Sequence, residues 1–307
     1  MQISTGLLFD RASTQMSNIQ NDMSKSQAQI AAQKQVLTPS DAPDQAAAIT
    51  RLRSVIGKQD SYAKTLDSVQ ARLENEGVTL SSAGDILIRL KELAIQASND
   101  TNGGTSRTVL ATEMQALREE LLSLSNATDT NGNYMFSGAK VTTPAFAADA
   151  TGEVSYRGDQ TAIKVAVGES RTVAANRPGT RAFVSVVRTA DNGTTSGAGF
   201  FRSIDDLIAG VKTGDATYMQ RGLKEMDALH DGVVLAQASS GIDMTVVAQQ
   251  GEGLMETKLT LATALSKIED LDMPKAITLM QKQMLSLEAA QSSFAKISQL
   301  SLFNYLK

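Results

Sequence analysis

Residues 66–97, LDSVQARLENEGVTLSSAGDILIRLKELAIQA, place Leu66, Leu73, Leu80 and Leu87 seven apart, with Ala94 continuing the row. Three residues further on in each repeat stand Val69, Glu76, Ala83, Leu90 and Ala97. Apolar residues at alternating steps of three and four form one narrow stripe on a helix, the seam along which two long helices pack. Glu76 is the one charged interruption of that seam. The next segment, Leu110, Met114, Leu117, Leu121 and Leu124, keeps the four–three rhythm. Between the two, Asn99-Asp100-Thr101-Asn102-Gly103-Gly104 is a strong break. An antiparallel helical hairpin is predicted.

The rhythm recurs outward in both directions. Upstream, Pro39-Ser40-Asp41-Ala42-Pro43-Asp44 separates two helices. Ser40 or Asp41 is a candidate cap there, and Pro43 suits a first helical turn. The run Gln45-Ala46-Ala47-Ala48 then opens a helix predicted to reach about residue 98. Before it, Ala12, Met16, Ile19, Met23 and Ile30 form a stripe among Ser, Gln and Asn. Downstream, Met219, Leu223, Met226, His230 and Val233 predict a helix from about Asp215, which Leu254, Leu261, Leu265 and Ile268 carry toward Pro274. Met273, Ile277, Met280, Met284, Leu287, Ala290, Phe294 and Ile297 give the last stripe. Each terminal helix has one apolar stripe on a polar surface, and one stripe has to be buried against another. The two ends are therefore expected to pair with each other or with neighbouring copies.

Between Gly138 and Gly199 the helical period vanishes. Val154 and Tyr156, then Ile163, Val165 and Val167, then Val184 and Val186 alternate with polar neighbours as strands do. Gly158-Asp159, Gly168-Glu169 and Asn192-Gly193 are predicted turns. The expected fold is mainly α with an inserted β domain: long antiparallel helices, coiled-coil termini, and a β-rich segment placed in an exposed loop. Three regions are expected: residues 1–44 with 270–307 as a terminal coiled-coil layer, 45–137 with 205–269 as an α-helical rod, and 138–204 as the β-rich outer insertion.

Composition narrows the chemistry. The 307 residues are 42% hydrophobic, ample for a core, and contain no Cys and one His. Disulfides, thiolate nucleophiles and Cys-bearing zinc sites are excluded, and most histidine chemistry with them. A net charge of -4 opposes nucleic-acid binding, which needs clustered Lys and Arg. No apolar run approaches the roughly 18 residues that span a bilayer, so no membrane insertion is expected. The start, Met1 to Asp10, lacks a basic segment, and Leu7 to Phe9 is too short an apolar core for a cleavable secretory signal.

His230 falls on an apolar seam and is read as an interior or boundary side chain, since no second His or Cys stands anywhere to join it. Asp205-Asp206 and Glu119-Glu120 are adjacent pairs whose side chains diverge on a helix, so a solvated face outweighs paired catalysis. Gly103-Gly104 and Gly197-Ala198-Gly199 lack the strand and the Gly-Lys-Ser/Thr ending of a phosphate loop. Asn99-Asp100-Thr101, Asn126-Ala127-Thr128 and Asn192-Gly193-Thr194 match a glycosylation pattern that is common by chance. The twelve Met residues mostly sit on seams, where adaptable packing explains them. No catalytic, cofactor-binding or metal-binding constellation is predicted.

Three segments carry a resemblance. Residues Ser26 to Ala48, with Val36-Leu37-Thr38-Pro39-Ser40-Asp41-Ala42-Pro43, and the run from Leu287 to Leu306 resemble the two ends of the bacterial flagellin family. Asn131-Gly132-Asn133-Tyr134-Met135-Phe136-Ser137-Gly138-Ala139-Lys140, then Thr143-Pro144-Ala145-Phe146 and Tyr156-Arg157-Gly158-Asp159, resemble its hook-associated protein 3 branch more than flagellin itself. Ile3-Ser4-Thr5-Gly6 and Ala31-Ala32-Gln33-Lys34 stand where flagellins usually carry Ile-Asn-Thr-Asn-like and Leu-Ser-Ser-Gly-like stretches.

The resemblance implies a layered architecture, with terminal helices lining a tube, an α-helical domain around them and a β domain outward. It implies a structural junction between hook and filament, with no enzymatic activity and no cofactor. Implied partners are further copies of the chain in a ring or helical layer, hook-associated protein 1, flagellin, and an export chaperone on the C-terminal region. Export through the flagellar type III apparatus to an extracellular position follows from the same likeness. The interface is then expected at the terminal stripes: Met16, Ile19, Met23 and Ile30 facing Ile277, Met280, Met284, Leu287, Phe294 and Ile297, with Leu300, Leu302, Phe303, Tyr305 and Leu306 closing the end. Two alternatives stand beside this reading: a flagellin subunit of the filament itself, and a glycan-binding module in the β insertion using Phe146, Tyr156, Phe183, Phe200 and Phe201.

Overall fold

A computed structural model describes residues 2–99, 103–189 and 195–305. In chain order the elements are α1 (Gln2–Ala32), α2 (Pro43–Ala97), α3 (Gly104–Ser125), β1 (Phe146–Ala148), β2 (Val154–Tyr156), β3 (Lys164–Ala166), β4 (Thr172–Ala174), α4 (Gly179–Ala182), β5 (Val186–Thr189), β6 (Thr195–Ala198), α5 (Phe200–Thr213), α6 (Ala216–Glu269) and α7 (Met273–Tyr305). The fold is mainly α, with every described strand in one internal block. The chain forms two compact units, one from Met1–Lys58 with Glu256–Lys307, the other Gln59–Met255.

The helix starts follow local chemistry. Pro43 opens α2, where its missing N–H costs nothing, and the Ala46 N–H donates to the Ala42 carbonyl at 2.9 Å. Asp41, a candidate cap for this helix, turns back instead. Its Oδ2 accepts the Thr38 N–H at 2.9 Å and its Oδ1 pairs with Lys25 Nζ at 2.8 Å, so the loop caps itself. That pairing with Lys25, helped by the Thr38 N–H, holds the Asp41 carboxyl down to about 2. At α6 the side chain of Asp215 accepts the Thr217 and Tyr218 N–H groups at 2.9 and 3.3 Å, a side-chain cap.

In the unit Gln59–Met255 the stripe from Leu66 to Ala97 is the core side of α2. Leu66, Val69, Leu73, Leu80, Ala83, Leu87, Leu90, Ala94 and Ala97 are all buried. Helix α3 returns along α2, tied by Arg89 Nη2 to Glu113 Oε1 at 2.8 Å, and Leu110, Met114 and Leu121 enter the same core. Ile204 and Leu207 of α5 and Met226, Leu229 and Val233 of α6 complete it. A smaller cluster joins Leu66, Val69 and Leu73 of α2 with Val247 and Leu254 of α6 and with Val167 and Val173 of the β segment. Each fully buried Leu-sized side chain contributes roughly 1.5–3 kcal/mol, so this unit has ample apolar burial of its own.

The described strands form three separate antiparallel hairpins, β1–β2, β3–β4 and β5–β6, rather than one sheet. Period-two alternation reveals β2, β3 and β5 in the sequence. Their partners carry FAA, TVA and TSGA, too short or too small to alternate visibly. Val184, an expected strand residue, lies before β5, and the Asn192-Gly193 turn lies outside the described residues. A two-stranded hairpin is marginal alone. Each of these anchors itself in the helical core: Phe146 and Val154 for the first, Val173 for the second, Val186 and Ala198 for the third.

The two central motifs lock together. Asp129 Oδ1 accepts the N–H groups of Asn131 and Asn133 at 2.9 and 3.0 Å, and its Oδ2 takes Arg72 Nη1 of α2 at 2.8 Å. The Ser137 carbonyl accepts the Asp159 N–H at 3.0 Å, and the Tyr156 hydroxyl lies 2.6 Å from the Asp159 carbonyl. Gly138 has φ 67, and a Cβ there would fall 2.2 Å from the Asp159 oxygen; at Gly158 it would fall 2.5 Å from the Tyr156 hydroxyl. Both positions need glycine, the first for its conformation as well as its space. The residues that carry the central resemblance therefore hold each other in place.

Candidate assembly interface

In the unit Met1–Lys58 with Glu256–Lys307, α1 and α7 lie antiparallel. Phe9 meets Phe294 edge to face with ring centroids 4.7 Å apart, Ser26 Oγ donates to Gln283 Oε1 at 3.0 Å, and Lys34 and Asp270 form an antiparallel bridge. The facing seam on α1 is Phe9, Ala12, Met16, Ile19, Met23, Ser26 and Ile30, at steps of three and four. On α7 it is Met273, Ala276, Met280, Gln283, Leu287, Ala290 and Phe294, with the same steps. Ser26 and Gln283 put a polar pair inside an otherwise apolar seam, a device that fixes register because a slip leaves the pair unsatisfied.

Of the sequence-predicted interface residues, Met16, Ile19, Met23, Ile30, Met280, Leu287 and Phe294 are half-buried along this seam. Ile277 and Met284 lie beside it, at 40% and 51% exposure, and Leu279 and Leu285 of the same helix are also exposed. Met23, Met284, Leu285 and Leu287, with Gln281, Glu288 and Gln291, line an open groove of about 520 Å³. Ile297, Leu300, Leu302, Phe303 and Tyr305 lie on α7 outside the described side chains, and Leu306 lies outside the described residues. The sequence pattern missed Phe9, which stands seven before Met16, and the Ser26–Gln283 pair, which a search for apolar residues passes over.

Where the helices connect, Glu269 ties the unit together. It is buried, with its carboxylate 2.5 Å from Lys34 Nζ and 2.5 Å from Arg53 Nη2 of α2. The hydrogen bond from Lys34, seconded by Arg53, holds its carboxyl below the ordinary range against the opposing effect of burial. The Gln35 N–H donates to the Glu269 carbonyl at 2.8 Å and the Leu271 N–H to the Gln33 carbonyl at 3.1 Å. The segments after α1 and before α7 are thus stitched side by side.

Glu119 and Glu120 are exposed, while the other acidic pair weighed for chemistry is taken up by arginines. Asp205 takes both Nε and Nη2 of Arg118, at 2.8 and 3.0 Å. Asp206 and Glu225 hold Arg188 through three bonds of 2.6 to 2.7 Å, raising its basicity further. His230 is half-buried, its Nε2 3.9 Å from where a Cβ on Gly84 would be. Phe146, Phe183, Phe200 and Phe201 join Phe136 in a chain of edge-to-face contacts, centroids 5.2 to 5.5 Å apart, and all five are buried. Rings spent on each other in a core offer no face to a sugar. Among the described residues, no group of three or more His, Cys, Asp or Glu converges as for a metal ion, and no helix is long and apolar enough to cross a membrane.

Paired terminal helices, a long-helix body and short hairpins are the build of a flagellin-like structural protein, and comparisons agree. The bacterial flagellin N-terminal helical region matches residues 3–141. The chain is homologous over its full length to flagellar hook-associated protein 3. With that of Escherichia coli (strain K12) it is 27% identical over 326 aligned residues, covering 100% of both chains. A flagellin from Clostridium tyrobutyricum is 28% identical over 142 residues, which cover 46% of this chain and 37% of that one. The crystal structure of flagellar hook-associated protein 3 from Legionella pneumophila shares the fold, with a TM-score of 0.65 at 18% identity, covering 72% of this chain and 98% of that one. The hook-associated reading is thereby favoured over flagellin, whose alignment covers less than half of the chain.

Proposed function

We propose that the chain is a non-enzymatic junction subunit of the bacterial flagellum, linking the hook to the flagellin filament by helical packing of its terminal layer. One observation carries this. Helices α1 and α7 pair along their length, yet none of their described apolar side chains is buried. Two stripes meeting face to face leave their flanks wet, and further helices are needed to cover them. Copies of the same chain supply those helices around a ring or helical layer. Hook-associated protein 1 adjoins on one side and flagellin on the other.

In this reading the interface comprises Met16, Ile19, Met23 and Ile30 with Ile277, Met280, Met284, Leu287, Phe294 and Ile297, closed by Leu300, Leu302, Phe303, Tyr305 and Leu306. Residues 1–44 with 270–307 form the inner layer, 45–137 with 205–269 the rod and 138–204 the outer insertion. A chaperone holds the C-terminal region before the chain leaves the cell by the type III route. Full-length homology to hook-associated protein 3 supports the assignment. Deleting Leu300 to Lys307 tests it: the unit Gln59–Met255 should melt unchanged, while cells carrying only the truncated chain should shed flagellin and stop swimming. Normal filaments on those cells would overturn the reading. Long polymers grown from purified full chain on filament seeds would favour the flagellin alternative.

A further inference from the structure

The run from Val184 to Arg188 walls one side of an open groove of about 460 Å³, with Arg221, Lys224 and Ala228 of α6 across from it. Val186, Val187 and Arg188 are consecutive in β5, and the side chains of a strand alternate between its two faces. A groove that touches all three therefore runs along the backbone edge of the strand. The other edge of β5 is taken by β6, from Val186 opposite Ala198 to Thr189 opposite Thr195. Among the described residues, no backbone–backbone bond outside that hairpin engages Val184 to Arg188. The N–H and C=O groups of an unpaired strand edge thus open into the groove. Val186 turns inward and is buried, while Val187 turns outward and is 75% exposed.

The groove is also short of negative charge. Arg188 takes Asp206 and Glu225 through bonds of 2.6 to 2.7 Å. Arg221 is left with the same two carboxylates at 3.6 Å, beyond hydrogen-bonding reach, and its Nε has no partner. Its guanidinium stacks on Tyr218 instead, 4.5 Å from the ring centroid. Lys224 is exposed and forms no ion pair with a described residue. Three cations share two carboxylates here.

We propose that this groove is a docking site for an acidic, extended segment of a partner protein, which adds a third strand to the β5–β6 hairpin. The backbone of the segment pairs with the free edge of β5, and its inward carboxylates meet Lys224 and Arg221. Its outward side chains pack beside Val187 as cross-strand neighbours. A second copy's β5 fits the edge poorly. Pairing about a two-fold axis would bring the two α6 rows together, setting Lys224 and Arg221 against their own counterparts. The groove lies wholly within Gln59–Met255, and the inference stands whether or not the flagellar reading does.

The probe is a short fluorescent peptide of alternating Glu and Val, whose two residue types face opposite sides when extended. It should bind the full chain saturably, weaken as salt rises, and slow amide exchange over 186–188. Lys224 is exposed, so Lys224→Glu should leave melting unchanged while weakening the peptide at least about tenfold. Arg221→Gln should weaken it further, and a peptide of alternating Lys and Val should not bind. Two forms of the acidic peptide, N-methylated on alternate residues along one edge or the other, separate strand addition from charge attraction. One form should lose binding and the other keep it. No binding, no effect of Lys224→Glu, or equal binding of the acidic and basic peptides would overturn the proposal, as would equal binding of the two N-methylated forms. A dimer of the free chain with protected β5 amides would overturn it in favour of a second copy. Inorganic phosphate held through Lys224 and Arg221, with the peptide unbound, would overturn it in favour of a small anion.

Discussion

Glu76 sits at a seam position of α2 with 1% of its surface exposed, accepting from Arg177 Nε at 2.9 Å while Arg177 Nη2 reaches Asp243 of α6 at 2.8 Å. Burial pushes its carboxyl up and Arg177 pulls it back, so the pair survives only because both partners are present. Arg177→Ala should lower stability by about 3–5 kcal/mol in urea unfolding, because it strands a charge in the seam. Glu76→Gln should cost clearly less. The interruption at Glu76 was legible in the sequence, but its partner was not: Arg177 is 101 residues away, beyond any local period. Glu269 gives a pH signature. Its carboxyl is depressed in the folded chain, so the stabilisation is complete above its ordinary value of 4.5 and is lost as pH falls below it. Protection of the Gln35 and Leu271 amides, corrected for intrinsic exchange at each pH, should fall as pH drops below the ordinary value of 4.5, and Glu269→Gln should remove most of that dependence.

Among the elements, the helices were the more legible because a stripe repeated over many turns averages out exceptions, as Leu66 to Ala97 does despite Glu76. Three-residue strands have no such repetition. β1, β4 and β6 became strands because a neighbour and a core were available to them, not because of any pattern of their own. The aromatic residues Phe136, Phe146, Tyr156, Phe183 and Phe201 make the same point: scattered in the sequence, they meet only through the fold. Beside the buried Val186 and Ala198, Arg188 clasps the β5–β6 hairpin to Asp206 of α5 and Glu225 of α6. Arg188→Ala should free this hairpin to early protease cleavage within 186–198, while α3, α5 and α6 keep their protection. Cleavage at the wild-type rate would show that Val186 and Ala198 suffice to hold it.

For the whole molecule, burial is distributed very unequally. Among described residues, Ser26, Ile49 and Glu269 are the buried side chains of the terminal unit, and every other buried residue lies in Gln59–Met255. Hydrogen exchange of the free chain should therefore be fast at both ends and slow in the middle, following the local density of apolar burial. Equal protection in both units would contradict this. That the two ends belong together was readable from their incomplete stripes. Where one unit gives way to the other was not, because α2 runs unbroken past Lys58 and α6 past Glu256, and a boundary inside a continuous helix leaves no turn residue to mark it.

The bond between Ser26 and Gln283 joins residues 257 apart. A chain delivered gradually from its first residue, whether by a ribosome or through a channel too narrow for two helices, holds α1 as an unpaired ribbon until nearly everything else has emerged. Helix hairpins within Gln59–Met255 have near neighbours and close early; the terminal pairing closes last, and its closure entropy grows only slowly with the distance spanned. Any product ending before Met273 lacks the second ribbon altogether. The terminal pair thus closes only once α7 has been delivered.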